Sequence, residues 1–186
     1  MPNLSPLKFG AYHMIGQDAW EPQRTNNFEL RFPNLPQLYS IDTGIAMPAN
    51  SSDYLTLSLK SADTVNITIN SINISYGNNT VKFAGKPEYG DFSATFRDFI
   101  GLQTERILTA WSKLVYNPAT EKVGRASVYK QQAYLLEFAP DGTQLKTWKL
   151  EGCWPGTMNF GSYSNDDNSV REITVTFYAD VAIPLD

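Results

Sequence analysis

One cysteine and one histidine stand in a chain of 186 residues, and those two scarcities close several routes at once. Cys153 has no partner for an intrachain disulfide, and a secreted domain of this make-up would carry cysteines in pairs, so the chain reads as the product of a reducing compartment. His13, between Tyr12 and Met14, has no second histidine to join it. A zinc site would need carboxylates to complete it, and a Ser-His-Asp or Cys-His arrangement would have to run on this single ring. The expectation is no metal, no cofactor and no catalytic activity. Cys153, held between Gly152 and Trp154, reads as a small buried side chain at a turn.

Charge is scarce too. Charged residues make up 18% of the chain and the formal net charge is −4, with no basic cluster of the kind that grips nucleic acid. An acidic surface repels phosphate, so nucleic acid could still slide past without sticking. No apolar run approaches the ~20 residues of a membrane span. The start, Met1-Pro2-Asn3-Leu4-Ser5-Pro6, lacks the charged and apolar regions of a signal peptide, and a soluble protein made in a cytoplasm is expected. There is no Gly-rich phosphate loop and no internal repeat. Asn165-Asp166-Asp167-Asn168 lacks the glycine and terminal glutamate of a calcium loop. Asp141, Glu151, Asp166 and Asp167 could in principle supply the two carboxylates of a glycosidase, but turns account for all except Glu151. The Asn-x-Ser/Thr triplets at Asn50, Asn66, Asn73 and Asn78 read as by-products of Asn/Thr-rich strands in a chain without a signal peptide.

What the chain does have is aromatic residues, 13% of the total, with ten Tyr, ten Phe and four Trp, a filling that favours sheet over helix. Residues 1–26 form an arm with Pro2, Pro6 and Pro22 and the scattered aromatics Phe9, Tyr12 and Trp20, suited to docking on a neighbouring surface. Residues 27–186 read as one domain. Asn27–Phe32 alternates as a first strand, ended by Pro33 and Pro36, and Leu38–Ile41 begins a second.

Between about 48 and 87 the character changes to a long hairpin excursion. Tyr54–Leu59 and Val65–Asn70, continued through Ile72 and Ile74, alternate strongly, with a turn at Ser61-Ala62-Asp63. Their outward residues are Ser, Thr and Asn. Sheet edges are normally blunted with Lys or Pro, and the lack of such protection marks these edges as pairing with something. Leu55, Leu57, Leu59, Ile67, Ile69, Ile72 and Ile74, with Trp20 of the arm, are the candidate self-assembly interface.

Asp91–Arg97 alternates again. The period then lengthens, with Ile107, Leu108, Trp111, Leu114 and Val115 at helical spacing, giving one amphipathic helix of ~14 residues that stops at Asn117-Pro118. A polar loop over 118–127 leads to a strand at Ala133–Phe138, a turn at Ala139–Thr143, and a strand at Lys146–Glu151. The glycines and proline of Gly152-Cys153-Trp154-Pro155-Gly156 should break that ladder. A last strand alternates Ile173, Val175, Phe177 and Ala179 against Thr174, Thr176, Tyr178 and Asp180. The whole predicts a mainly β fold, an antiparallel β-sandwich or partly open barrel with one covering α-helix.

Lys149-Leu150-Glu151-Gly152-Cys153-Trp154-Pro155-Gly156-Thr157-Met158, then an Asp/Asn-rich turn, then Ile173–Asp180, resembles the C-terminal block of the tail tube proteins of contractile-tailed bacteriophages. The preceding order of elements also agrees, from Asn27-Phe28 through Phe92–Phe96 and the helix bearing Trp111. The extended arm and the strand-like character of 48–76 depart from the family's pattern. The resemblance implies a structural virion protein, made in the host bacterial cytoplasm, that forms hexameric rings stacked into a conduit for DNA. The implied partners are further copies of itself, sheath and baseplate proteins, and DNA that passes through the lumen without specific binding; no membrane is involved. Those departures leave a tube-like baseplate component as the alternative within the resemblance. A reading independent of the resemblance is a carbohydrate-binding β-sandwich, with Trp20, Trp148 and Trp154 as stacking platforms.

Overall fold

The computed structural model describes residues 23–40, 44–166 and 168–185. Most of the expected arm, with His13 and Trp20, lies outside the described residues, as does Asp167. The fold is mainly β and antiparallel. Seven strands make one strongly bent, open sheet in the order β1 (Phe28–Arg31), β10 (Gln131–Phe138), β11 (Gln144–Asn159), β12 (Glu172–Tyr178), β7 (Phe92–Arg97), β4 (Leu59–Ala62), with β13 (Val181–Leu185) also pairing with β11.

β11 is the strand on which the sheet turns. Up to Cys153 it pairs with β10 on one side, and over Thr147–Glu151 with β13 on the other. From Trp154 onward it pairs with β12 instead. The expected break at Gly152-Cys153-Trp154-Pro155-Gly156 is therefore a bend within one long strand. Gly152 has φ +69°, a conformation that glycine enters without a Cβ clash, and its kink redirects the chain from one half of the sheet to the other. Pro155 is tolerated because β11 has a strand on one side only at that point.

The inner face alternates as strands require. Phe92, Ala94 and Phe96 of β7, Ile173, Val175 and Phe177 of β12, and Leu30, Ala133, Leu135 and Leu150 are all buried. Helix α2 (Thr104–Val115) covers them, laying down Ile107, Leu108, Trp111 and Leu114. The Trp111 ring meets Phe32 edge-on at 5.2 Å and lies 5.7 Å from Phe177, and its Nε1–H donates to the Tyr129 carbonyl at 2.8 Å. Each such aromatic contributes roughly 2–3 kcal/mol through its burial. Cys153 is fully buried in this core, as expected.

The stretch from 48 to 87 differs from its expected form. Ser51–Ser58 is a helix, α1, not a strand, and the expected turn at Ser61-Ala62-Asp63 lies largely in β4, paired with β7. Asp53 in the first turn suits the helix dipole, and Leu55 is driven into the core. The hairpin is made later, by β5 (Ile67–Tyr76) and β6 (Asn79–Tyr89), joined through Gly77-Asn78. The expected polar loop at 118–127 carries a short strand, β9 (Lys122–Val123), and the start of a one-turn helix, α3 (Ala126–Tyr129).

Candidate assembly interface

The β5–β6 ribbon grows directly out of the sheet. β4 and β7 pair from Leu59↔Phe96 to Ala62↔Ala94. The Asp63 N–H then donates to the Ser93 carbonyl and the Gly90 N–H to the Asn66 carbonyl, both at 2.8 Å. The ladder continues as Ile67↔Tyr89 and runs to Tyr76↔Asn79. Beyond the sheet, β5 and β6 pair only with each other among the described residues.

Ile69, Ile72, Tyr76 and Phe83 are 63%, 55%, 66% and 50% exposed, and Ile67, Ile74 and Val81 are exposed as well. Cross-strand register sets Ile72 beside Phe83 and Ile74 beside Val81, a packed apolar row with no second layer over it. Between Ile69 and Ser71 the register shifts, with Gly85 and Lys86 facing Asn70. Gly85 is required there, because a Cβ on it would lie 2.6 Å from the Asn70 carbonyl oxygen. By strand alternation Ile67 and Ile69 occupy one face of β5 and Ile72, Ile74 and Tyr76 the other. The ribbon thus shows apolar side chains on both faces, at different heights.

Of the residues expected at an interface, Ile67, Ile69, Ile72 and Ile74 come together on this ribbon. Leu57 is exposed but sits apart, on α1. Leu59 is half-buried and packs against the core. Leu55 is completely buried within the chain's own core, which removes it from any surface, and Trp20 lies outside the described residues. Tyr76, Val81 and Phe83 were missed; their signal was the alternation of Val81 and Phe83 after a Gly-Asn turn, which makes 79–89 the return strand.

At the opposite end of the sheet a second group gathers around Arg171. Its Nη1 donates to Asp98 Oδ2 at 3.0 Å and to Glu105 Oε2 at 2.7 Å, its Nε donates to the Phe160 carbonyl at 2.9 Å, and its guanidinium lies 4.8 Å from the Tyr163 ring centre. Glu105 first, then Tyr163 and Asp98, raise the Arg171 pKa above its ordinary value. One cation therefore ties the loop after β7, the first turn of α2 and the β11–β12 connection together. Phe99, Ile100, Tyr163 and Val170 stand exposed around it.

Among the described residues no group of three His, Cys, Asp or Glu could hold a metal ion, and no helix is long and apolar enough to cross a membrane. The Asp141 carboxylate accepts from the Thr143 N–H and hydroxyl at 2.9 and 2.8 Å, which lowers its pKa and identifies it as a turn residue. Burial pushes the Cys153 thiol up to about 12, with the Asp180 carboxylate adding to the effect. Trp154 packs between Tyr129, at 5.7 Å, and Tyr178, at 4.7 Å, while Trp148 is half-buried against the core under the Lys146 ammonium.

The bent open sheet with its covering helix is a fold shared with chains of contractile injection systems. The chain is similar over 89% of its length to a chain of the tube-terminating cap of the anti-feeding prophage, with 17% identity, 91% of that chain covered and a TM-score of 0.63. A chain of the extended sheath–tube complex of the PVC extracellular contractile injection system matches 89% of this chain at 18% identity, with 93% of that chain covered and a TM-score of 0.63. A chain of the anti-feeding prophage baseplate does so at 13% identity, covering 89% of this chain and 96% of that one, with a TM-score of 0.58. By sequence, no family model and no curated protein matches the chain.

Proposed function

We propose that the chain is a structural, non-catalytic tube subunit of a contractile injection machine, assembling with copies of itself into rings that stack as a hollow conduit. The observation that carries this reading is the ribbon, whose backbone edges and apolar rows have no partner among the described residues. An edge left so is an aggregation hazard unless a neighbour completes it, and ring closure by identical copies completes every edge at once. Ile67, Ile69, Ile72 and Ile74, with exposed Leu57, are the self-assembly residues in this reading.

The finer form follows the sequence resemblance: six subunits per ring, in the tail of a contractile bacteriophage, with sheath outside, baseplate below and DNA passing through the lumen unbound. A net charge of −4 per subunit suits such a passage if acidic groups face the bore. A tube-like baseplate or terminating component is the second reading, favoured by the likeness to chains of a cap and a baseplate. A carbohydrate-binding role is poorly supported, since Trp148 and Trp154 are engaged by their own neighbours and do not stand free as platforms.

Negative-stain microscopy of the purified chain tests the proposal and should show rings or hollow rods. Ile69→Lys and Leu57→Lys should each abolish them while leaving the circular dichroism spectrum near that of the parent. Persistence of the assemblies in both variants would overturn the interface assignment, and a monodisperse monomer that binds polysaccharide would overturn the tube reading itself.

A further inference from the structure

Gly152-Cys153-Trp154-Pro155-Gly156, where β11 changes partners, is met by the turn between β12 and β13 and by the residues that lead from α3 into β10. Asp180 sits in that turn. Its N–H donates to the Glu151 carbonyl at 2.9 Å, and its carboxylate covers Gly152, so that a Cβ there would overlap it. Lys130, between α3 and β10, donates from Nζ to both Asp180 oxygens, at 2.7 and 2.6 Å.

Gly156 provides a second seat of the same design. A Cβ on it would overlap the Tyr178 ring, and that ring lies 4.7 Å from Trp154, whose other neighbour is Tyr129 at 5.7 Å. Each glycine thus receives one side chain from the end of β12 or the turn after it. Tyr129 and Lys130, adjacent in sequence, close the two contacts from the far side, one against Trp154 and the other on Asp180.

The ladder is irregular here on both flanks. The register shifts between Gln131 and Ala133 on the β10 side and between Pro155 and Thr157 on the β12 side, with Gly152 at φ +69° between them. Bulges and an interior glycine take away the regular hydrogen bonds that would otherwise hold a strand to one direction. We infer that the bend in β11 is a hinge held shut by two latches, the Lys130–Asp180 ion pair and the Tyr129–Trp154–Tyr178 stack, which set the angle between the two halves of the sheet. The inference stands independently of the tube reading.

The Lys130 and Asp180 side chains are 31% and 53% exposed, and an ion pair so open to water adds little to global stability. Its effect falls on geometry, since selecting one angle among several of similar energy takes only a small bias.

The test is the distance between nitroxide labels at Leu145→Cys and Thr157→Cys in the full chain, one on each arm of β11, read by pulsed electron paramagnetic resonance. Both positions are exposed, and native Cys153 is buried away from the reagent. A straight strand between them would span about 40 Å; the otherwise unsubstituted chain should give one narrow distance shorter than that. Asp180→Asn should roughly double the width of the distribution, with the denaturation midpoint close to the parent's, and Trp154→Ala should widen it further. Lys130→Glu combined with Asp180→Lys should narrow it again. A distribution that stays narrow in Asp180→Asn, or that the exchanged pair fails to narrow, would overturn the ion pair as a latch. One that stays narrow in Trp154→Ala as well would overturn the hinge.

Discussion

Phe177 and Ile72 both sit on antiparallel strands of β-branched, aromatic and hydroxyl residues, yet their surroundings are opposite. Phe177 is fully buried, within 5.3 to 6.4 Å, centre to centre, of the rings of Phe92, Phe32, Trp111 and Phe96. Ile72 has Phe83 beside it and is 55% exposed. The body of the molecule satisfies its own apolar and backbone groups; the ribbon satisfies one edge of each strand and leaves the rest open. In the proposed reading folding and assembly are therefore separable, with stability written in the body and self-assembly in the ribbon.

Substitutions can break that separation, and the largest effect should come from the body. Phe177→Ala should cost about 3–5 kcal/mol, read as a shift of the denaturation midpoint, with assembly lost only because the fold is lost. Arg171→Gln removes charge-assisted hydrogen bonds to Asp98 and Glu105 and should cost about 1–2 kcal/mol, read as a fall in the denaturation midpoint; an unchanged midpoint would contradict the role of this cation in tying the three segments together.

Cys153 gives a smaller effect that belongs to the body alone. Its thiol rises from an ordinary 9.0 to about 12. In the unfolded chain it ionises above pH 9 while the folded chain keeps its proton, so its contribution is complete below pH 9 and is lost as pH climbs toward 12. Above pH 9 the parent should lose up to about 1.4 kcal/mol per pH unit more than Cys153→Ala, and equal slopes in chemical denaturation would refute this. Smallest of all in stability, Ile72→Lys should change unfolding by less than about 0.5 kcal/mol while preventing polymerisation. Gly85→Val, which forces a side chain against the Asn70 carbonyl, should weaken assembly with an equally small effect on the body.

β12, β7 and α2 were legible because each buries one face over six or more residues, so that period and burial agree. Two places were not. Tyr54–Leu59 alternates as cleanly as Ile67–Ile74, but Asn50-Ser51-Ser52-Asp53 before it is a helix start, and Ser51, Leu55 and Ser58 share the buried side at helical spacing. In segments this short, Ser and Thr beside Leu fit either period. Gly152 to Gly156 was read as an end because glycine and proline usually stop a ladder; here a positive φ bends the strand and a change of partner continues it. On the ribbon, the four exposed isoleucines were visible as unprotected alternation. The Arg171 cluster was not, since Asp98, Glu105 and Arg171 are remote in sequence and meet only in the fold.

Amide hydrogen exchange on the unmodified chain, dispersed and assembled, probes the separation of body and ribbon most directly. The outward amides of residues 67–89 should exchange rapidly in the dispersed chain and slow by roughly tenfold or more on assembly, while those of β12 stay slow in both. Rods in which residues 67–89 exchange as fast as in the dispersed chain would contradict the account.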